Sequence, residues 1–183
     1  MSRDSRYKVE HWITLTNLPA SGREFLFEDQ GVWQDLWHDA QCDIRVHTPL
    51  VATFTVFPHV DGFLIRGRLI GAVESPCHRC MEPAYTELRH DFEFFEAFDD
   101  PDELAEEEPR LRRAGADWEL NDIAILWEEF LLAMPEKILC ADICLGLCPH
   151  CGKNKNLEPC ACATSDQRSA LAAALQRAQI KIT

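Results

Sequence analysis

From residue 8 onward much of the chain is written in alternation. KVEHWITLTNL (8–18) sets Val9, His11, Ile13 and Leu15 against more polar neighbours, apart from Trp12, and predicts a half-buried strand. GVWQDLWHD (31–39) changes period: Val32 and Leu36 lie four apart, as do Trp33 and Trp37. That spacing predicts a short amphipathic helix with two tryptophans on one face, serving the core rather than a ligand cage. LVATFTVFP (50–58) returns to β-branched and aromatic residues, and Asp61-Gly62 supplies a turn. FLIRGRLIGAVES (63–75) then places Phe63, Ile65 and Leu69 inward, with Arg66 and Arg68 at positions that face solvent. A further strand is predicted over about 84–98, with Leu88, Phe92 and Phe94 on one face and His90 close by. Cys77 and Cys80 fall in the connection between the last two strands.

The pattern breaks at 98–117, FDDPDELAEEEPRLRRAGAD, which has almost no apolar residues and predicts an exposed loop. Its Arg110, Arg112 and Arg113 are expected to pair with glutamates nearby. DIAILWEEFLLAM (122–134) has helical spacing, with Ile123, Trp127 and Leu131 four apart and Leu126 and Phe130 likewise. Asn121 or Asp122 caps it, Pro135 ends it, and Glu128 and Glu129 form its main polar face. Thr164 and Gln167 fit a capping box that opens a final helix through about Ala178, with an apolar stripe of Leu171, Leu175 and Ala178. The fold class expected is α+β: a hairpin-rich antiparallel sheet, one buried helix and a small metal-clipped C-terminal module. The expected division is 1–136 for the sheet domain, including the acidic loop, and 137–183 for the cysteine-rich module and last helix, packed on it.

Charge sharpens that division. The 183 residues carry a net charge of −13. Residues 87–136 hold 17 acidic and 4 basic side chains, whereas residues 137–183 hold 3 acidic and 6 basic ones. Phosphate attraction would therefore favour the tail, where Lys153, Lys155 and Arg168 lie, although bound thiolates offset much of that charge. MSRDSRYKVEHW lacks the apolar run of a secretory signal, and IAILWEEFLLAM is broken by two glutamates. The expectation is a cytoplasmic protein with no membrane partner.

A reducing compartment makes metal the better explanation for nine cysteines than disulfides. Six of them crowd into residues 139–162, LCADICLGLCPHCGKNKNLEPCAC, at spacings C-x3-C-x3-C-x2-C-x8-C-x-C. Cys77 and Cys80 form another C-x2-C, and Cys42 stands apart. A C-x2-C turn presents two sulfurs to one tetrahedral ion, and Pro149 and Gly152 suit such a turn. Eight thiols make two four-sulfur Zn2+ sites. One division joins Cys77 and Cys80 to Cys148 and Cys151. The other joins them to Cys140 and Cys144 and leaves Cys148, Cys151, Cys160 and Cys162 as a terminal knuckle. The second is preferred, because it closes each site with the nearest pairs along the chain. His78 and His150, lying between paired thiols, are expected to point away from the metal, and the other histidines call for no special role. Four-thiolate sites leave no position for water, so they are structural, and no general acid/base pair or nucleophilic triad stands out. No enzyme activity and no small-molecule substrate are expected. A thiol-disulfide oxidoreductase using Cys77 and Cys80 is the competing reading. A zinc-dependent protein-interaction module is another.

The order C-H-R-C-M-E-P after a strand, an acidic loop, a helix ending L-L-A-M-P, then L-C-A-D-I-C-L-G-L-C-P-H-C-G resembles the YceD family of large ribosomal RNA subunit accumulation proteins. The closing C-A-C and D-Q-R-S-A-L are similar too, and the likeness covers roughly residues 60–178. Some members of that family keep the first four cysteines and lack the terminal knuckle, which favours the second division. One departure stands out: Asn154-Lys155-Asn156 occupies a place where the family often has Asn-Leu-Asn. The resemblance implies a non-enzymatic factor supporting 23S ribosomal RNA accumulation through large-subunit processing or assembly. Its partners would be precursor ribosomal RNA or assembly proteins, with Lys153, Lys155 and Arg168 as contact residues.

Overall fold

The structure, a computed structural model, describes residues 11–98 and 110–162. The chain falls into two compact units, residues 1–142 and 143–183.

The first unit contains β1 (Trp12–Thr14), β2 (Arg23–Phe27), α1 (Gln30–Asp39), β3 (Arg45–Pro58), β4 (Gly62–Pro76), β5 (Pro83–Ala97), β6 (Leu111–Ala114), β7 (Asp117–Asn121) and α2 (Asp122–Ala133). Four strands form one antiparallel sheet in the order β2-β3-β4-β5, and three short ones form another in the order β1-β7-β6. The architecture is α+β, with hairpins carrying the larger sheet. Arg66 and Arg68 point outward from β4 into exposed pairs with Glu93 and Asp91 of β5. Phe63, Ile65, Leu69, Leu88 and Phe92 point inward.

Trp33, Leu36 and Trp37 of α1 are buried; the two tryptophans stack on each other, and both meet the Phe130 ring of α2 at a tilt, with centroids 5.5 and 5.6 Å away. Burying side chains of this size contributes roughly 2–3 kcal/mol each. Asp29 caps α1 by accepting from the amide of Gly31, and Asn121 caps α2 by accepting from the amide of Ala124. The second helix is therefore capped at Asn121, not Asp122. Asp122, its first residue, is buried beside His11, with Nδ1 to Oδ1 at 2.8 Å. Burial pushes the Asp122 carboxyl up, against the pull of the His11 ring.

Several expectations are corrected by tertiary packing. The first strand is short among the described residues, and Val9 lies outside them. REFLF (23–27), too short to show a period, forms the edge strand β2. The polar run of 98–117 is not all loop: Leu111–Ala114 and Asp117–Asn121 pair as β6 and β7, while 99–109 lie outside the described residues. Arg110 reaches Glu96 and Glu128, and Arg112 pairs with Glu119 while its guanidinium lies 3.8 Å from the Trp12 ring centroid.

Glu129 is not on a polar face. It is 7% exposed and meets Nε2 of His90 on β5 at 2.7 Å, whereas Leu131 is 51% exposed. A charged-looking position thus turns inward because β5 offers it a partner. At the β3–β4 hairpin, Gly62 is needed for close approach rather than for a left-handed turn. A Cβ there would stand 2.0 Å from the carbonyl oxygen of Glu96. The predicted helix from Thr164 to about Ala178 lies outside the described residues.

The second unit has no helix or strand among its described residues. Its order comes from turns and from one antiparallel bridge between Leu147 and Asn154. Along 143–148 burial alternates, with Cys144, Gly146 and Cys148 inside and Ile143, Leu145 and Leu147 outside. No described helix is long and apolar enough to cross a membrane.

Candidate metal centres

Cys77 follows directly on β4, and Cys80 sits in the turn leading to β5. The turn is closed twice: the Cys77 amide donates to the Glu82 carbonyl at 2.8 Å, and the Met81 amide to the Cys77 carbonyl at 3.0 Å. Met81 completes it in the left-handed region, at φ 64°. His78 ties this turn to the chain leaving α2. Its amide donates to the Ile138 carbonyl at 2.9 Å, and the Ile138 amide donates to its Nδ1 at 3.4 Å. Cys140 is thereby brought to the hairpin, with its Sγ 3.4 Å from that of Cys80. The Sγ atoms of Cys77, Cys80, Cys140 and Cys144 all lie within 4.8 Å of one another. Cys77, Cys80 and Cys144 are buried, and Cys140 is exposed.

The second turn repeats the first. The Cys148 amide donates to the Lys153 carbonyl at 2.8 Å, and the Gly152 amide to the Cys148 carbonyl at 2.9 Å. Gly152 takes the left-handed position, at φ 73°. Cys160 lies 3.2 Å from Cys148 and 3.5 Å from Cys151, sulfur to sulfur. With Cys162 these thiols also lie within 4.8 Å of one another. Here only Cys148 is buried. Cys160 is half-buried, and Cys151 and Cys162 are exposed.

Both groups fit a tetrahedral ion held by four sulfurs. Bonds of about 2.3 Å place the sulfurs roughly 3.8 Å apart, within the span that each group already occupies. The protonation pattern agrees. Burial pushes the Cys77 thiol up, but the amides of Arg79, Cys140 and Cys80 outweigh it and bring it down to about 6. The Cys148 thiol is brought down to about 6 by the amides of Cys151 and His150, then by the Cys160 thiol. The neighbouring Cys148 pushes Cys160 up, and the Cys160 thiol pushes Cys162 up to about 12. Each turn thus aims backbone N–H groups at one sulfur and favours its thiolate. A divalent cation would do the same for the others by replacing their protons.

The geometry brings together the two sets of the preferred division. Cys42 stays apart, half-buried, its thiol directed at the Ala40 carbonyl at 3.6 Å. Lys153 pairs with Glu158 at 2.9 Å, Lys155 is exposed, and Arg168 lies outside the described residues. Asn156 was missed by sequence reasoning. Its Nδ2 donates to the Cys144 sulfur at 3.3 Å, and its Oδ1 accepts from the Leu145 amide at 2.7 Å. The two asparagines flanking Lys155 were the available signal, since Asn154 Oδ1 in turn accepts from both the amide and the Nδ2 of Asn156.

The family described as "Large ribosomal RNA subunit accumulation protein YceD" matches residues 65–176, a span that contains all eight clustered cysteines. No curated protein and no solved structure matches the chain.

Proposed function

The chain belongs to the YceD family of large ribosomal RNA subunit accumulation proteins, and we propose that it acts there as a non-enzymatic factor held in shape by two structural Zn2+ ions. Its role is to support 23S ribosomal RNA accumulation through processing or assembly of the large subunit. The observation that carries the structural part is the pair of closed four-thiol groups. Four sulfurs fill a tetrahedral ion's coordination, leaving no position for water or substrate, as in structural rather than catalytic zinc sites. Cys77, Cys80, Cys140 and Cys144 join a β-hairpin to the exit of α2. Cys148, Cys151, Cys160 and Cys162 close a loop too polar to fold by apolar burial, with metal supplying the folding free energy.

That loop carries Lys153 and Lys155. With Arg168 they form the proposed contact with precursor ribosomal RNA or an assembly protein. The test is co-sedimentation of the chain with large-subunit precursors, together with 23S ribosomal RNA levels in cells lacking it. Loss of the protein is expected to lower 23S ribosomal RNA. Lys153→Glu with Lys155→Glu is expected to weaken co-sedimentation while both metal ions stay bound. Normal 23S levels in the deletion would sink the ribosomal role, and undiminished co-sedimentation of the double variant would sink the contact alone.

A further inference from the structure

Cys151 and Cys160 face each other at 3.5 Å in a stretch where nothing apolar is buried. None of residues 149–162 is buried, and Leu157 is 73% exposed. The first group differs in both respects. Three of its four thiols are buried, and Cys77 and Cys80 hang on long strands whose inward side chains belong to the main core. We propose that the second group is an oxidation-released metal site, in which a hydroperoxide joins Cys151 to Cys160 and expels the ion while the first group keeps its own. The proposal rests on the metal reading above and deepens it into regulation.

The chemistry balances with hydrogen peroxide as oxidant. The exposed Cys151 thiolate attacks one peroxide oxygen, the O–O bond breaks, and hydroxide leaves and takes a proton to become water. Cys151 is then a sulfenic acid. The Cys160 thiolate attacks that sulfur, the S–O bond breaks, and a second hydroxide leaves and becomes water. Two thiolates are oxidised to one disulfide, and one peroxide is reduced to two waters. Cys148 and Cys162 remain as the only two ligands, too few to hold Zn2+ in a closed site. The loop bearing Lys153 and Lys155 loses the constraint that shapes it, so oxidation switches off the surface assigned to partner contact. A dithiol reverses the step by thiol-disulfide exchange.

The experiment uses the full chain loaded with Zn2+ and titrated with hydrogen peroxide. Released zinc is followed with a chromogenic chelator, disulfides are mapped by mass spectrometry after alkylation, and tryptophan fluorescence is recorded throughout. All five tryptophans lie between residues 12 and 127, so they report on the first unit alone. The expected result is loss of one ion at least tenfold faster than the other, in step with a Cys151–Cys160 disulfide. Tryptophan fluorescence stays unchanged, Cys77, Cys80, Cys140 and Cys144 stay reduced, and dithiothreitol with added zinc restores the starting state. Simultaneous loss of both ions, earlier loss from the first group, or release without that disulfide overturns the switch and leaves the metal reading standing. A chain that holds no zinc after loading overturns both.

Discussion

The two cysteine turns have the same backbone and opposite surroundings. In each, the leading cysteine's amide bonds to the carbonyl five residues on, and the amide four residues on returns a bond to that cysteine's carbonyl. In each, the fifth residue takes a positive φ. Around the first turn stand two 15-residue strands and the exit of α2. Around the second, among the described residues, stand its own polar loop and an isolated bridge between Leu147 and Asn154. Local geometry therefore makes a metal ligand pair, and context decides what the metal is for. At the first turn the metal would lock together parts that already have a core, whereas at the second it would be most of what makes the loop a structure.

The largest effect that separates the two is loss of one ligand from each. Cys80→Ser is expected to release one zinc and to lower the stability of the sheet unit by roughly 4 kcal/mol, read from tryptophan fluorescence during denaturation. Cys160→Ser is expected to release one zinc and leave that transition where it was. Equal shifts for both variants would erase the distinction.

A smaller effect crosses between the groups. Asn156 lies in the loop of the second group, yet its amide touches Cys144 of the first. Asn156→Ala is expected to weaken zinc at the first group about tenfold in a competition with a chelator, the usual cost of losing a bond that orients a ligand, and to spare the second. Uniform weakening at both would mean that Asn156 shapes the loop rather than the sulfur.

The smallest effect concerns the left-handed residue. Gly152 has open space where a Cβ would stand, so Gly152→Ala costs only the backbone penalty of about 1 kcal/mol, or about fivefold in zinc affinity at the second group. Met81→Gly relieves the same penalty at the first turn. Glycine's extra freedom in the unfolded chain returns part of the gain, leaving a rise of a degree or two in the denaturation midpoint.

Much of this was legible in order along the chain. β3, β4 and β5 have long, regular periods, so most of their inward residues follow from the alternation alone. The C-x2-C turns were legible because proline, glycine and two thiols at that spacing constrain the backbone within a few residues. Where the sequence misled, a distant partner made the decision. Glu129 reads as solvent-facing until β5 brings His90 to it. His11 reads as incidental until Asp122 appears beside it, 111 residues away. Leu111–Ala114 lies in a run too polar to suggest a strand, and it becomes one by pairing with β7.

By itself, then, the sequence determined the types of the long elements, the two thiol turns and the number of sulfurs available, because those depend on short-range periodicity and backbone preference. Only the tertiary structure decided which thiols meet. Sulfurs 60 residues apart, those of Cys80 and Cys140, come within 3.4 Å because a hairpin loop and the exit of a buried helix are held together by His78 and Ile138. It also decided how deeply each group is buried, since burial depends on what the rest of the chain packs around a turn and not on the turn itself.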